Sequence, residues 1–292
     1  MPWNLEIVMT EFKNIAFLDL DHPGANDLVY RRRRDEIAQL TRESRERNES
    51  APLLDYTEEE HGVWRSVCEK LAPLHEKHAN NSYLSAVRKL EIPSDHIPQL
   101  RELSDRLASH HGFRVGAIEG LVDSRSFFGQ FSKKVMWCTQ YIRHASRPEY
   151  TPEPDVIHEV VGHLPAFVDL DFCELSELIG RAALLADYVQ LARLERIYWF
   201  TIEFGLIEEP SGVKSYGAGL LGSFGELEHV YSGEVEWKPF VLEDVVETPY
   251  NYSEMQSKLF IIPSFAFLRK EIERFVRESN LQAASKEPVS GV

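Results

Sequence analysis

Residues 155–167 read Asp155-Val156-Ile157-His158-Glu159-Val160-Val161-Gly162-His163-Leu164-Pro165-Ala166-Phe167, and the fold class turns on this stretch. The preceding ASRPEYTPEP (145–154) holds three prolines and cannot be a helix interior. Its last proline, Pro154, suits the first turn of a new helix. The helix that follows carries two His and a Glu among apolar neighbours, so it reads as buried. Further helices are expected on both sides. Downstream they cover about 169–184, 187–206 and 263–279. Upstream, Thr57 and Glu60 form a capping box that opens a helix to about Ala79, with Val63, Val67, Leu71 and Leu74 on one stripe. Ile97-Pro98 opens another, with Leu100, Leu103 and Leu107 inward, ending near Gly112. Residues 26–49 read as a polar, salt-bridged helix in which Arg31 to Arg34 lie on a solvated face. Only 113–122 and 212–216 suggest short strands. The expected fold is mainly α: one domain with a few short β-strands.

Composition agrees with this. The 292 residues are 43% hydrophobic and 27% charged, which supports a buried core and excludes general disorder. The formal charge of −15 argues against a protein that neutralises nucleic-acid phosphates. No apolar run reaches the roughly 18 residues that span a bilayer, and the N-terminus lacks the pattern of a secretory signal. Cys68, Cys138 and Cys173 are too few for a disulfide framework. A cytoplasmic setting is expected.

His158 and His163 stand five positions apart, about 140° around an ideal α-helix, so the zinc-protease pattern HExxH is not met. Both imidazoles reach one ion only if the helix loosens at Gly162 or ends near Pro165. Residues 191–206 (LARLERIYWFTIEFGL) form an apolar helix with Glu203 inside it. A buried carboxylate needs a partner. Spacing leaves two choices open: a metal shared with the two His, or an ion pair with Arg193 or Arg196. Two His and one carboxylate serve non-haem Fe(II) oxygenases and catalytic zinc sites alike, so the ligand set does not choose between oxygenase and hydrolase.

Five blocks decide more: CTQYIRH (138–144), YTPEPD (150–155), HEVVGHLPAF (158–167), IYWFTIEFGL (197–206) and YGAGLLGSFGEL (216–227). Together they resemble the pterin-dependent aromatic amino acid hydroxylases, the family of phenylalanine, tyrosine and tryptophan hydroxylases, with motifs nearest the phenylalanine branch. The likeness begins at DLDHPGANDLVYRRRR (19–34) and runs to about residue 276. It implies a bacterial-type catalytic domain at 19–279, after an N-terminal extension (1–18) and before a flexible tail (280–292). It also implies Fe(II), a tetrahydropterin such as tetrahydrobiopterin, and O2 as cosubstrate.

By motif, the resemblance makes His158, His163 and Glu203 the iron ligands. It pairs Arg143 with the substrate carboxylate, lines the amino-acid pocket with Thr151, Pro154 and Trp199, and puts Ser223 at the substrate's polar end. Phe127 would stack on the pterin, with Gly120, Val122 and Ser124 in the loop beneath it and Glu159 and Tyr198 nearby. Glu159 would help position water or pterin. Three positions depart from the family pattern. Gly222 replaces a Ser that supports an iron-binding His, Trp137 replaces His or Gln beside the pterin, and Tyr252 stands where small residues or Asp are usual. These three would tune specificity. Trp199 favours a ring smaller than indole, so the expected reaction is hydroxylation of L-phenylalanine to L-tyrosine. Hydroxylation at the 3-position, or of tyrosine or tryptophan, is the alternative within this chemistry. A zinc hydrolase and a non-catalytic binding protein are the alternatives outside it. The expected assembly is a monomer or small homo-oligomer without nucleic-acid or membrane partners.

Overall fold

The computed structural model of the chain describes residues 22–281, apart from Tyr150, Pro152 and Ser253. The expected extension at 1–18 and residues 282–292 of the expected tail lie outside the described residues.

Helix α1 (Leu28–Glu46) starts where Asp27 accepts the Val29 and Tyr30 N–H groups. Helix α2 (Glu58–His78) starts at the Thr57–Glu60 capping box and buries Val63, Val67 and Leu71. A short helix α3 (Asn81–Lys89) follows, not among the expected helices although Tyr83, Leu84, Ala86 and Val87 recur at helical spacing and Tyr83, Leu84 and Val87 pack with Ala79 and Leu221. Helix α4 (Leu100–His111) stops at Gly112, whose φ of 81° is left-handed. Strands β1 (Arg114–Ala117) and β2 (Val135–Cys138) pair in parallel, joined through α5 (Ser124–Phe131).

The Arg run is not the solvated face expected. Arg34 is buried, its guanidinium 3.8 Å from the Tyr141 ring and paired with Glu153. Arg33 pairs with Glu60 at 2.9 Å. The run therefore ties α1 to α2 and to the loop before His158.

Next come the two segments that carry the site. Residues His158–His163 form a π-helix, followed by a 3₁₀ segment (Leu164–Val168). Helices α6 (Leu170–Leu185) and α7 (Tyr188–Tyr198) follow, and the latter runs straight into a second π-helix at Trp199–Glu203. The rest builds a four-stranded sheet with helices around it. It comprises β3 (Leu206–Glu209), β4 (Gly212–Ser215), α8 (Ala218–Leu221), α9 (Phe224–Val230), β5 (Glu236–Pro239), α10 (Leu242–Glu247), β6 (Lys258–Ile262) and α11 (Phe265–Glu278). The strand order is β4-β3-β6-β5, antiparallel at β3–β4 and parallel at β3–β6 and β5–β6. Helix α6 packs between α5 and α11, and α8 packs on the first π-helix. Leu281, beyond α11, is buried in the core. No helix among the described residues is long and apolar enough to cross a membrane.

Candidate active site

The two π-helices resolve the spacing problem. In a π-helix each N–H bonds to the carbonyl five residues back, so residues i and i+5 return to nearly the same side. The Leu164 N–H bonds to the Glu159 carbonyl and the Phe204 N–H to that of Trp199, both in this register. The widened turn brings the His158 and His163 rings to 4.7 Å. Gly162 permits it, because a Cβ there would come within 2.6 Å of the Ala218 carbonyl oxygen on α8.

Glu203 meets both imidazoles. His163 Nε2 lies 3.0 Å from one carboxylate oxygen and His158 Nε2 3.5 Å from the other. One ligand atom from each of the three residues falls within 4.8 Å of the others. The ion-pair alternative fails: Arg193 pairs with Glu247, and Arg196 donates to the Val246 carbonyl. The side chains of His158, His163 and Glu203 are 14%, 2% and 12% exposed, so the cluster opens on the His158 and Glu203 side. Burial opposes charge on all three. The facing imidazoles still hold Glu203 far below the usual carboxylate range, while burial prevails over Glu203 at His163 and lowers it.

Glu159 points elsewhere. Its carboxylate accepts the Thr139 N–H at 3.2 Å, and burial pushes its pKa up to about 8. The Tyr198 hydroxyl is buried without a hydrogen-bond partner of normal geometry; burial, reinforced by nearby Glu203, holds its pKa high.

Arg143, expected at the substrate carboxylate, already makes most of its hydrogen bonds within the protein. Its Nε and Nη2 grip the buried Asp155 carboxylate at 2.9 and 2.8 Å. Nη1 donates to the Pro148 carbonyl and Nη2 also to that of Gly222. One of the five guanidinium N–H groups, on Nη1, is left over. Asp155, which sequence reasoning did not single out, accepts the His158 N–H as well, at 3.0 Å. It joins the guanidinium to the backbone of a candidate ligand.

Comparison with known proteins decides the family. Residues 5–284 match the model for biopterin-dependent aromatic amino acid hydroxylases. The chain belongs to that family. It is 41% identical over 264 residues to the phenylalanine-4-hydroxylase of Bos taurus, covering 89% of this chain and 58% of that protein. It is equally identical over 262 residues to the tyrosine 3-monooxygenase of Homo sapiens, covering 88% and 49%. The chain thus spans only about half the length of these relatives. A Chromobacterium violaceum phenylalanine hydroxylase with bound iron(III) and the oxidised cofactor 7,8-dihydrobiopterin superposes with a TM-score of 0.72 at 28% identity, covering 80% of this chain and 88% of that one. The apo cold-active phenylalanine hydroxylase of Colwellia psychrerythraea 34H gives 0.73 at 30% identity, covering 80% and 93%.

The remaining positions expected from this hydroxylase family fall into groups. Trp199 stands in the second π-helix, its ring 4.7 Å from Phe204 and stacked on Tyr250 at 4.4 Å. Phe127 packs edge-on to Phe131 and Tyr198. Gly120 and Val122 lie in the loop between β1 and α5, with Ser124 at the start of α5. Trp137 lies over Gly116, where a Cβ would sit 2.9 Å from the indole, and faces the Arg45 guanidinium at 5.8 Å. The Thr151 hydroxyl is buried and has no hydrogen-bond partner among the described residues, and the Pro154 carbonyl accepts from Thr139. The Ser223 hydroxyl donates to the Glu149 carbonyl and caps α9. Gly222 lies against His158, where a Cβ would be 2.9 Å from its Cα. Tyr252 is half-exposed. Asp155, Glu226, Tyr250 and Gln256 escaped the sequence reading. Only the sign of Asp155 and Glu226, charges inside apolar or tightly turned segments, could have marked them.

Proposed function

We propose that the chain is a non-haem Fe(II), tetrahydropterin-dependent monooxygenase that hydroxylates L-phenylalanine to L-tyrosine. One observation carries the reading: His158, His163 and Glu203 converge from two separate π-helices, with Trp199 one turn from Glu203. Two imidazoles and a carboxylate suit Fe(II) and leave coordination positions open. His158, His163 and Glu203 would hold the iron, which with the pterin as two-electron donor would supply O2 activation, one oxygen atom going to the ring and the other to the pterin. The protein binds, orients and excludes water.

In this reading Trp199 forms a flat wall for a six-membered ring and leaves little room for indole. The last Nη1 N–H of Arg143 and the buried Thr151 hydroxyl are donors for the amino acid's carboxylate. Asp155 holds Arg143 still, so little freedom is lost when substrate binds. Phe127 and the 120–124 loop receive the pterin, with Glu159 nearby. Three unpaired cysteines and a charge of −15 favour a cytoplasmic setting without nucleic-acid partners.

The test is anaerobic reconstitution with Fe(II), then air, tetrahydrobiopterin and an equal mixture of phenylalanine, tyrosine and tryptophan. Pterin-dependent formation of para-tyrosine is expected. Meta-tyrosine, DOPA or 5-hydroxytryptophan would retain the chemistry and refute the substrate or position. No product, with pterin and O2 unconsumed, would refute the activity.

A further inference from the structure

Gln256 is 5% exposed and sits between the candidate ring wall and the segment that carries Tyr250 and Tyr252. Its Oε1 accepts the Trp199 indole N–H at 2.9 Å. Its Nε2 donates to two carbonyls of the preceding segment, Asn251 at 3.1 Å and Glu254 at 2.9 Å. The orientation of this carboxamide is chemically forced, because an indole N–H only donates and a carbonyl only accepts. The main chain of the same residue is anchored too. The Gln256 N–H points at a Glu226 oxygen at 3.5 Å, and its carbonyl lies 3.2 Å from His229 Nε2, both on α9.

Among the described residues of 249–255 none lies in a helix or strand, and Tyr250, Asn251 and Tyr252 are exposed. Through Gln256 the Asn251 and Glu254 carbonyls are tied to Trp199, four residues before the candidate ligand Glu203. Tyr250 completes the arrangement by stacking on the same indole, with an interplanar angle of 19°. One side chain thus supplies an acceptor for the wall and two donors for the loop. An ionised Glu lacks the donors and Lys lacks the acceptor.

We propose that Gln256 is a positioning residue for the aromatic substrate: it registers Trp199 and the 249–255 segment as a single wall beside the His158–His163–Glu203 cluster. The proposal rests on the reading of Trp199 as the ring wall. It makes the Phe-over-Trp preference depend on a residue that need not touch the substrate.

The test is Gln256→Met, which keeps the volume and removes all three side-chain hydrogen bonds. Hydrogen exchange is followed in 249–255 on the metal-free protein, and kcat and KM for phenylalanine and tryptophan on the reconstituted one. Loop amides should exchange roughly tenfold faster, the KM for phenylalanine should rise roughly five- to tenfold with a smaller change in kcat, and the preference for phenylalanine should fall several-fold. A role in packing alone predicts wild-type values for this variant. A folded Gln256→Met with unchanged loop exchange and unchanged preference overturns the proposal. Should it fail to fold, Trp199→Phe breaks the same link from the other side and must also loosen 249–255; unchanged exchange there overturns the proposal equally. A wild type that hydroxylates no aromatic amino acid defeats the proposed function instead, and loop exchange then still decides for or against the clamp.

Discussion

Glu226 lies on α9 with 1% of its surface exposed. Among the described residues its Oε1 has no hydrogen-bond partner, and Oε2 receives only the long Gln256 N–H contact. Burial pushes its pKa up to about 7 from an ordinary 4.5, against the pull of that N–H. The folded state therefore holds this proton more tightly than the unfolded state. The stabilisation is fully present below pH 4.5 and is lost as pH rises through about 7. At 1.36 kcal/mol per tenfold change in proton affinity, about 3 kcal/mol disappears by pH 8. Glu226→Gln keeps the shape and an acceptor for the Gln256 N–H but never ionises. Near pH 5 the two proteins should melt within a degree or two of each other, whereas at pH 8 the variant should melt roughly 5–10 °C higher. The assay is far-UV circular dichroism melting of metal-free protein from pH 4.5 to 8.5. Subtracting variant from wild type removes the contribution of other buried groups such as Glu159. A difference that stays flat with pH, or a variant less stable at pH 8, would refute the reasoning.

Three further outcomes are expected. His158→Ala should lose both iron retention, read by metal analysis after desalting, and turnover; full retention of either contradicts the three-ligand assignment. Arg143→Ala should raise the KM for the amino acid and also lower stability by about 3–5 kcal/mol, because it strands the buried Asp155 carboxylate; a melting curve like the wild type's would contradict the second part. Gly222→Ser drives a Cβ to 2.9 Å from the His158 Cα. It should cost about 1–3 kcal/mol of stability and weaken iron binding, measured by melting and by Fe(II) titration, and a neutral result would show that α8 yields without strain.

Local chemistry made much of this protein legible. The Thr57–Glu60 capping box, the stripe Val63-Val67-Leu71 and the left-handed stop at Gly112 are effects within one or two turns, and they set helices α2 and α4. The three prolines of 145–154, ending at Pro154, likewise end any helix where the chain must turn into the site. The five motif blocks identified the family and, with it, the candidate ligands. Charge, composition and cysteine usage narrowed the class of protein without help from the fold.

Tertiary packing decided the rest. Whether His158 and His163 share one side depended on a π register that the α-helical period denies, and that register is stabilised by α8 packing against Gly162. Whether Glu203 faced Arg193, Arg196 or the imidazoles depended on which elements crossed it. The run Arg31 to Arg34 reads as solvated along its own helix, yet the chain folds Glu153 and Tyr141 over Arg34 from more than a hundred residues away. Arg143 is claimed by Asp155, and Gln256 acts on Trp199, through contacts across 12 and 57 residues. Periodicity and capping are written in neighbours a few positions apart. A buried charge or a shared hydrogen bond takes its meaning from partners that only the folded chain brings within 3 Å.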